Sequence, residues 1–272
     1  MKVRTIVSFA LLPFVFIIAL LAPKIVTAIV VGIMASIAAY ELLHTTKLIK
    51  HPRMLFYSMG AAFLVSLWSF LGCSQAVAIV IVLMFFVLLF TEMMLSGMKI
   101  PFSRVSLCFV GGLVIPYLFC SIVRIIALPD GRYFVLVPFA IAFASDSFAY
   151  LVGMKFGKHK LAPTISPKKT IEGLIGGLAA AILVMVIYSL VLQFGFGFRV
   201  NYIFAVIYAI IGTAAGVFGD LCFSVIKRQT GIKDYGNLIP GHGGIMDRFD
   251  SMITVAPLVE TLLLLLPMAV KV

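Results

Sequence analysis

Apolar runs of about 20 residues, broken by short polar stretches rich in lysine, proline and glycine, recur from one end of the chain to the other. A hydrocarbon layer about 30 Å thick needs roughly 20 apolar residues per helix, so the pattern reads as a series of membrane spans. It predicts nine: approximately residues 6–21, 25–40, 54–71, 76–95, 105–128, 134–153, 171–194, 202–223 and 251–270. The opening Met1-Lys2-Val3-Arg4 and its apolar run resemble a secretory signal. No small-x-small cleavage site precedes Lys24 and further apolar segments follow at once, so this run is read as the first span. With no polar linker, low-complexity tract or internal repeat, the expected fold is all-α. It is one polytopic helical membrane domain over residues 1–272, with the N-terminus cytoplasmic. Spans within 1–104 carry no motif, and those within 105–272 carry the candidate active site.

Composition agrees: 63% of the 272 residues are hydrophobic and 11% charged, against roughly half and a quarter in soluble domains. Four cysteines, Cys73, Cys108, Cys120 and Cys222, lie in or beside apolar runs without metal or redox spacing and read as small buried residues.

Charge placement tests the orientation, because Lys and Arg accumulate in cytoplasmic loops. Alternating sides from an inner N-terminus puts 16 of the 21 basic residues inside; Lys24, Arg124, Arg132, Arg199 and Lys271 fall elsewhere. The net charge of +11 therefore describes a surface facing anionic headgroups and anionic substrates, and no nucleic-acid motif is present. Of ten acidic residues, Glu41, Glu92, Asp146, Glu172, Asp220, Asp234, Asp247 and Asp250 map to the same inner half, whereas Asp130 is outer and Glu260 mid-span. Ionisable groups near a membrane face a cavity or a partner. Their clustering predicts an inward-opening polar pocket.

The loop before the last span is the most informative segment. Asp220, Ser224, Lys227 and Arg228 are spaced so that a continued helix puts them on one face. Asp247 and Asp250, three apart, can share a site at the start of the last helix. Between them, Pro240-Gly241-His242-Gly243-Gly244 resists helix; it is either a plain turn or a segment whose backbone N–H groups approach phosphate. Polyphosphate chemistry needs hard oxygen ligands and neutralising cations. Asp220 and Asp247 fit the first role, and Lys227, Arg228 and Arg248 the second, with structural salt bridges as the alternative. A second element, Ser166-Pro167-Lys168-Lys169-Thr170-Ile171-Glu172-Gly173, sets adjacent lysines before a span. It is either a charge anchor or an anion site, because lysines at a helix start oppose the dipole. Asp146, between Ser145 and Ser147, is a metal-site candidate or a packing group. Gly212 and Gly216 predict close helix packing.

Residues 224–250 resemble the signature SxxKRxxxxKDxGxxxPxHGGxxDRxD of the phosphatidate cytidylyltransferase (CDP-diacylglycerol synthase) family at every fixed position, and residues 166–173 resemble its SPKKTxEG motif. The resemblance implies a nucleotidyltransferase of phospholipid biosynthesis that transfers the cytidylyl group of CTP to phosphatidic acid, releasing pyrophosphate, with Mg²⁺ as one or two ions. On that basis Asp220, Asp247, Lys227 and Arg228 are expected to be catalytic. Ser166, Lys168, Lys169, Ser224, Lys233, Asp234, His242, Gly243, Gly244 and Arg248 would bind substrate; Asp220 and Asp247, with Asp250 and Asp146 as further candidates, would bind metal. Partners would be CTP, phosphatidic acid and membrane lipid, not nucleic acid, and a homodimer is compatible with the family and with the small-residue helix faces. A multi-pass protein of the cell inner (cytoplasmic) membrane is expected. Rival classes are a CTP-dependent lipid kinase, a CDP-alcohol phosphotransferase, whose DGxxAR-type motif is absent, and a transporter, for which repeats and midplane helix breaks are expected.

Overall fold

The computed structural model describes residues 18, 20–238 and 243–271. Seven described helices are long and apolar enough to cross a membrane: α1 (Lys24–Thr45), α2 (Pro52–Phe70), α3 (Gln75–Leu95), α4 (Phe102–Ala127), α5 (Gly131–Phe156), α6 (Ile171–Gly195) and α7 (Tyr202–Gln229). Two shorter helices follow, α8 (Met246–Phe249) and α9 (Met252–Leu265). The span expected at 6–21 lies outside the described residues except at its last positions. The last expected span, 251–270, forms the 14-residue α9, roughly 21 Å long at 1.5 Å per residue. Beyond it the chain turns into a strand.

The chain divides into two compact units, residues 1–129 with 229–249, and residues 130–228 with 250–272. In the first, α1 lies along α2. Hydroxyls join the pair where water is absent: Ser66 Oγ donates to the Ala28 carbonyl at 2.7 Å and Ser36 Oγ to that of Met59 at 2.9 Å. A core of Leu43, Ile49, Met54, Phe85, Leu89 and Val105 fills the space among α1 to α4. Buried charge is paired. Arg124 on α4 donates to Ser69 Oγ, Ser121 Oγ and the Tyr117 carbonyl and lies over the Tyr117 ring. Glu92 accepts from Tyr57 OH at 3.1 Å and pairs with Arg53. Cys108 and Cys120 are buried as expected, whereas Cys73 is exposed at a positive-φ turn after α2.

In the second unit α5 and α6 run against each other. Their approach is set by glycine: a Cβ on Gly177 would lie 2.6 Å from the Ser145 carbonyl oxygen, and one on Gly173 2.6 Å from that of Ala149. Gly212 faces Ile141 of α5 and Gly216 faces Val255 of α9, so the GxxxG pair of α7 packs helices as its spacing predicts. Thr170 Oγ1 caps α6 by accepting from Gly173 N, and Asn201 Oδ1 caps α7 through Ile203 N and Phe204 N. Two short antiparallel strand pairs interrupt the helices. β1 (Lys160–Ala162) pairs with β2 (Ser166–Thr170), and β3 (Phe198–Val200) with β4 (Ala269–Lys271). β4 brings Lys271 Nζ to 3.9 Å from Asp130 Oδ1, uniting two residues that the charge pattern assigns to the outer side.

Gly177→Leu is expected to lower the midpoint of thermal unfolding in detergent, since overpacking costs roughly 1–3 kcal/mol. Gly60→Ala on α2, where a Cβ meets nothing within 4 Å, is expected to leave the midpoint unchanged or raise it. Equal losses in the two variants would contradict the packing account.

Candidate active site

Helix α7 continues past its apolar stretch to Gln229, so Asp220, Ser224, Lys227 and Arg228 share one face as their spacing requires. Ser224 Oγ donates to Asp220 Oδ1 at 3.1 Å. In β2 Lys168 is exposed, whereas Lys169 is half-buried. Lys169 Nζ sits 2.5 Å from Asp220 Oδ2, with the two side chains 24% and 28% exposed. Arg228 Nε donates to the carbonyl of Ile165, just before β2, at 3.2 Å. The lysine pair thus stands on a strand pinned to α7 by an ion pair and a hydrogen bond, rather than at a bare helix start. Ser166 opens that strand.

Asp250 lies between α8 and α9, and its Oδ1 accepts from Ser251 N at 2.8 Å. Burial and the neighbouring Asp220 carboxylate push its carboxyl well above the ordinary aspartate range; the Lys227 ammonium pulls the other way. Asp146 on α5 accepts from Ser251 Oγ at 3.4 Å, and its charge also bears on Asp250. Three carboxylates from α5, α7 and the approach to α9 therefore repel one another, with Lys169 and Lys227 opposing them. Among the described residues no three His, Cys, Asp or Glu side chains stand in a ready metal-ligating arrangement. The cluster has the donors and the excess negative charge for a cation, but Lys169 occupies one edge of it.

The other unit holds the rest of the signature loop. Asp247, buried at the start of α8, accepts through Oδ2 from Tyr235 N at 2.7 Å and Gly244 N at 3.1 Å. Gly243 has φ +83°, and a Cβ there would lie 2.8 Å from the same oxygen. Glycine is therefore required twice over, by backbone conformation and by space. Ile245 N donates to Glu41 Oε1 at 3.1 Å and Met246 N to Glu41 Oε2 at 2.9 Å. The N–H groups of residues 244–246 are thus held by side-chain carboxylates of the chain itself. Lys233, Asp234 and Arg248 are exposed, and His242 lies outside the described residues. Glu41, at the end of α1, accepts these loop N–H groups, whereas the sequence alone places it on the inner side with no role. Its signal was its type, since a carboxylate within an apolar span requires a partner.

These features define a polytopic helical membrane protein in which carboxylates and cations gather at span ends and in one glycine-bearing loop. Residues 2–266 match the profile of the Cytidylyltransferase family. A Bacillus subtilis protein named phosphatidate cytidylyltransferase is 34% identical over 97% of this chain and 98% of its own length. A Staphylococcus aureus protein of the same name is 36% identical over 97% and 99%. One from Staphylococcus haemolyticus is 40% identical over a shorter stretch, 62% of this chain and 61% of that protein. The chain belongs to the cytidylyltransferase family.

Asp247→Ala strands two donors, Tyr235 N and Gly244 N, each at about 1–3 kcal/mol when buried. Limited proteolysis is expected to cut within residues 230–245 faster in this variant than in the parent. Asp247→Asn, which keeps an acceptor oxygen, should lie between them. Identical digestion of all three would remove Asp247 from its loop-holding role.

Proposed function

We propose that this protein transfers the cytidylyl group of CTP to phosphatidic acid, giving CDP-diacylglycerol and pyrophosphate, at the cytoplasmic face of a cell membrane. The observation that carries the reading is similarity along nearly the whole chain to two proteins named phosphatidate cytidylyltransferase. The excess of Lys and Arg on one side of the predicted spans supports the cytoplasmic face.

A phosphatidic acid oxygen attacks the α-phosphorus of CTP. The bond from that phosphorus to the oxygen bridging it to the β-phosphorus breaks, and pyrophosphate leaves with the electron pair. The lipid phosphate is already ionised at neutral pH, so the site needs alignment and charge stabilisation rather than a strong base. Lys168, Lys169, Lys227 and Arg228 supply cations in one unit, and Lys233 and Arg248 in the other. Ser166 and Ser224 add hydroxyls, while Asp234 and His242 complete the substrate-binding set implied by the signature.

Asp146, Asp220 and Asp250 offer the hard carboxylate oxygens that Mg²⁺ prefers, in a cluster whose mutual repulsion a divalent ion relieves. They are the candidate ligands by donor type; holding the ion would require them to draw closer together and Lys169 to give up its place against Asp220. When bound, Mg²⁺ neutralises charge on the phosphoryl oxygens. Asp247, which the sequence reading paired with Asp220 as a ligand, has one oxygen committed to two backbone donors. Organising the loop is its better-supported role.

Purified protein incubated with radiolabelled CTP, phosphatidic acid and Mg²⁺ is expected to move label into the lipid phase and release pyrophosphate, and EDTA should abolish both. Asp220→Asn should lower turnover roughly a hundredfold, with activity partly restored by higher Mg²⁺. Release of CDP instead of pyrophosphate would establish a CTP-dependent kinase and overturn the proposal; unchanged turnover of Asp220→Asn at limiting Mg²⁺ would overturn the metal assignment.

A further inference from the structure

Two glycines of the signature loop have a side-chain carboxylate where a Cβ would stand. Gly236 and Gly244 both close onto the carboxylate of Glu41, and the three nearest atoms to a Cβ built on Gly244 all belong to that carboxylate. Glu41 is 4% exposed. It stands in the π-helical turn that ends α1, Glu41–Thr45, a local widening that often marks functional positions. Its two oxygens take one N–H each from Ile245 and Met246, the first free donors of the short helix α8. A carboxylate with separate donors on its two oxygens is fixed in position and in plane. The loop that folds over it is fixed in turn.

We infer that Glu41 is the positioning residue of the nucleotide-handling loop: it sets the course of residues 243–246 from inside, and positions 236 and 244 are glycine because its carboxylate fills the space a side chain would need. The inference rests on the proposed function only for what the loop binds. Glu41 touches no reacting atom; it acts through the loop, which leads into the exposed Arg248.

Two properties follow that a general loss of stability would not produce. Removing the carboxylate should weaken handling of CTP more than that of phosphatidic acid. It should also make room at Gly244, so that an alanine there harms the parent protein more than it harms a chain already lacking Glu41. A replacement amide keeps one acceptor but turns an NH₂ group towards a backbone donor, so Glu41→Gln should resemble Glu41→Ala rather than the parent.

The test uses the full-length protein in detergent with the variants Glu41→Gln, Glu41→Ala, Gly244→Ala and the double variant Glu41→Ala/Gly244→Ala. Hydrogen exchange of the Ile245 and Met246 amides reads the loop without any substrate; exchange is expected to quicken at least roughly tenfold in Glu41→Ala. Steady-state kinetics should show KM for CTP raised at least roughly tenfold, with KM for phosphatidic acid within about twofold of the parent. The double variant should fall well short of the summed effects of its single changes. Unchanged amide exchange in Glu41→Ala, or additive effects of the two substitutions, would overturn the inference. So would equal rises in both KM values that track a drop in the unfolding midpoint. If the parent shows no cytidylyl transfer, the proposed function fails, while the exchange and additivity measurements still decide whether Glu41 shapes the loop.

Discussion

A hydrocarbon layer supplies no hydrogen bonds, so every polar group that a membrane chain carries into it must find a partner within the chain. This constraint shapes the protein at each level. Backbone groups are satisfied by helices, and the hydroxyls of Ser36, Ser58 and Ser66 return to carbonyls of their own or the facing helix, with Ser189 and Thr213 as buried exceptions. Arg124 collects two hydroxyls, a carbonyl and an aromatic face around one guanidinium. Where carboxylates accumulate, they meet lysines, hydroxyls or backbone N–H groups. The same pairing that makes such groups tolerable also holds them still, which is what a site for charged substrates needs.

Close approach is the second requirement, and glycine meets it in two different ways. In the pair α5 and α6, Gly173 and Gly177 bring helix backbones together, so shape rather than hydrophobicity joins helices that lipid would solvate equally well. In the signature loop, Gly236 and Gly244 bring backbone up to a carboxylate. The first use fixes the platform on which β2 presents Lys168 and Lys169; the second fixes the loop that precedes Arg248.

Sequence periodicity made most of this architecture legible. Apolar run lengths located the seven described spans to within a few residues, and helical spacing placed Asp220, Ser224, Lys227 and Arg228 on one face. Three features escaped it because they depend on pairing partners that helical periodicity does not reveal. Ser166-Pro167-Lys168-Lys169-Thr170 reads as the polar lead-in to a helix, but its strand character comes from pairing with residues 160–162. Strand β4 ends what hydropathy reads as one span because it pairs with β3, about 70 residues earlier in the chain. Glu41 lies 204 residues before Ile245, and no local pattern links an acid at the end of one span to glycines near the start of another. The sequence places Glu41 only among the acids of the inner half; the fold pairs its carboxylate with the N–H groups of Ile245 and Met246.

That pairing changes how the glycine signature is understood. Read as sequence, Gly243-Gly244 suggests donors bared for a phosphate. In the fold, the N–H groups of Gly244, Ile245 and Met246 are already bonded to Asp247 and Glu41. Each partner solves the other's difficulty: the carboxylates need donors in a medium of low dielectric, and a loop of small residues needs acceptors to take one conformation. Hydrogen bonds to charged groups contribute about 1.5–3 kcal/mol each, so the three bonds to residues 244–246 weigh heavily against the conformational freedom that glycine brings. The cations of the loop, Lys233 and Arg248, are exposed rather than turned towards these carboxylates. Arg248 is exposed immediately after buried Asp247, so one carboxylate shapes the turn while the adjacent guanidinium stands in solvent.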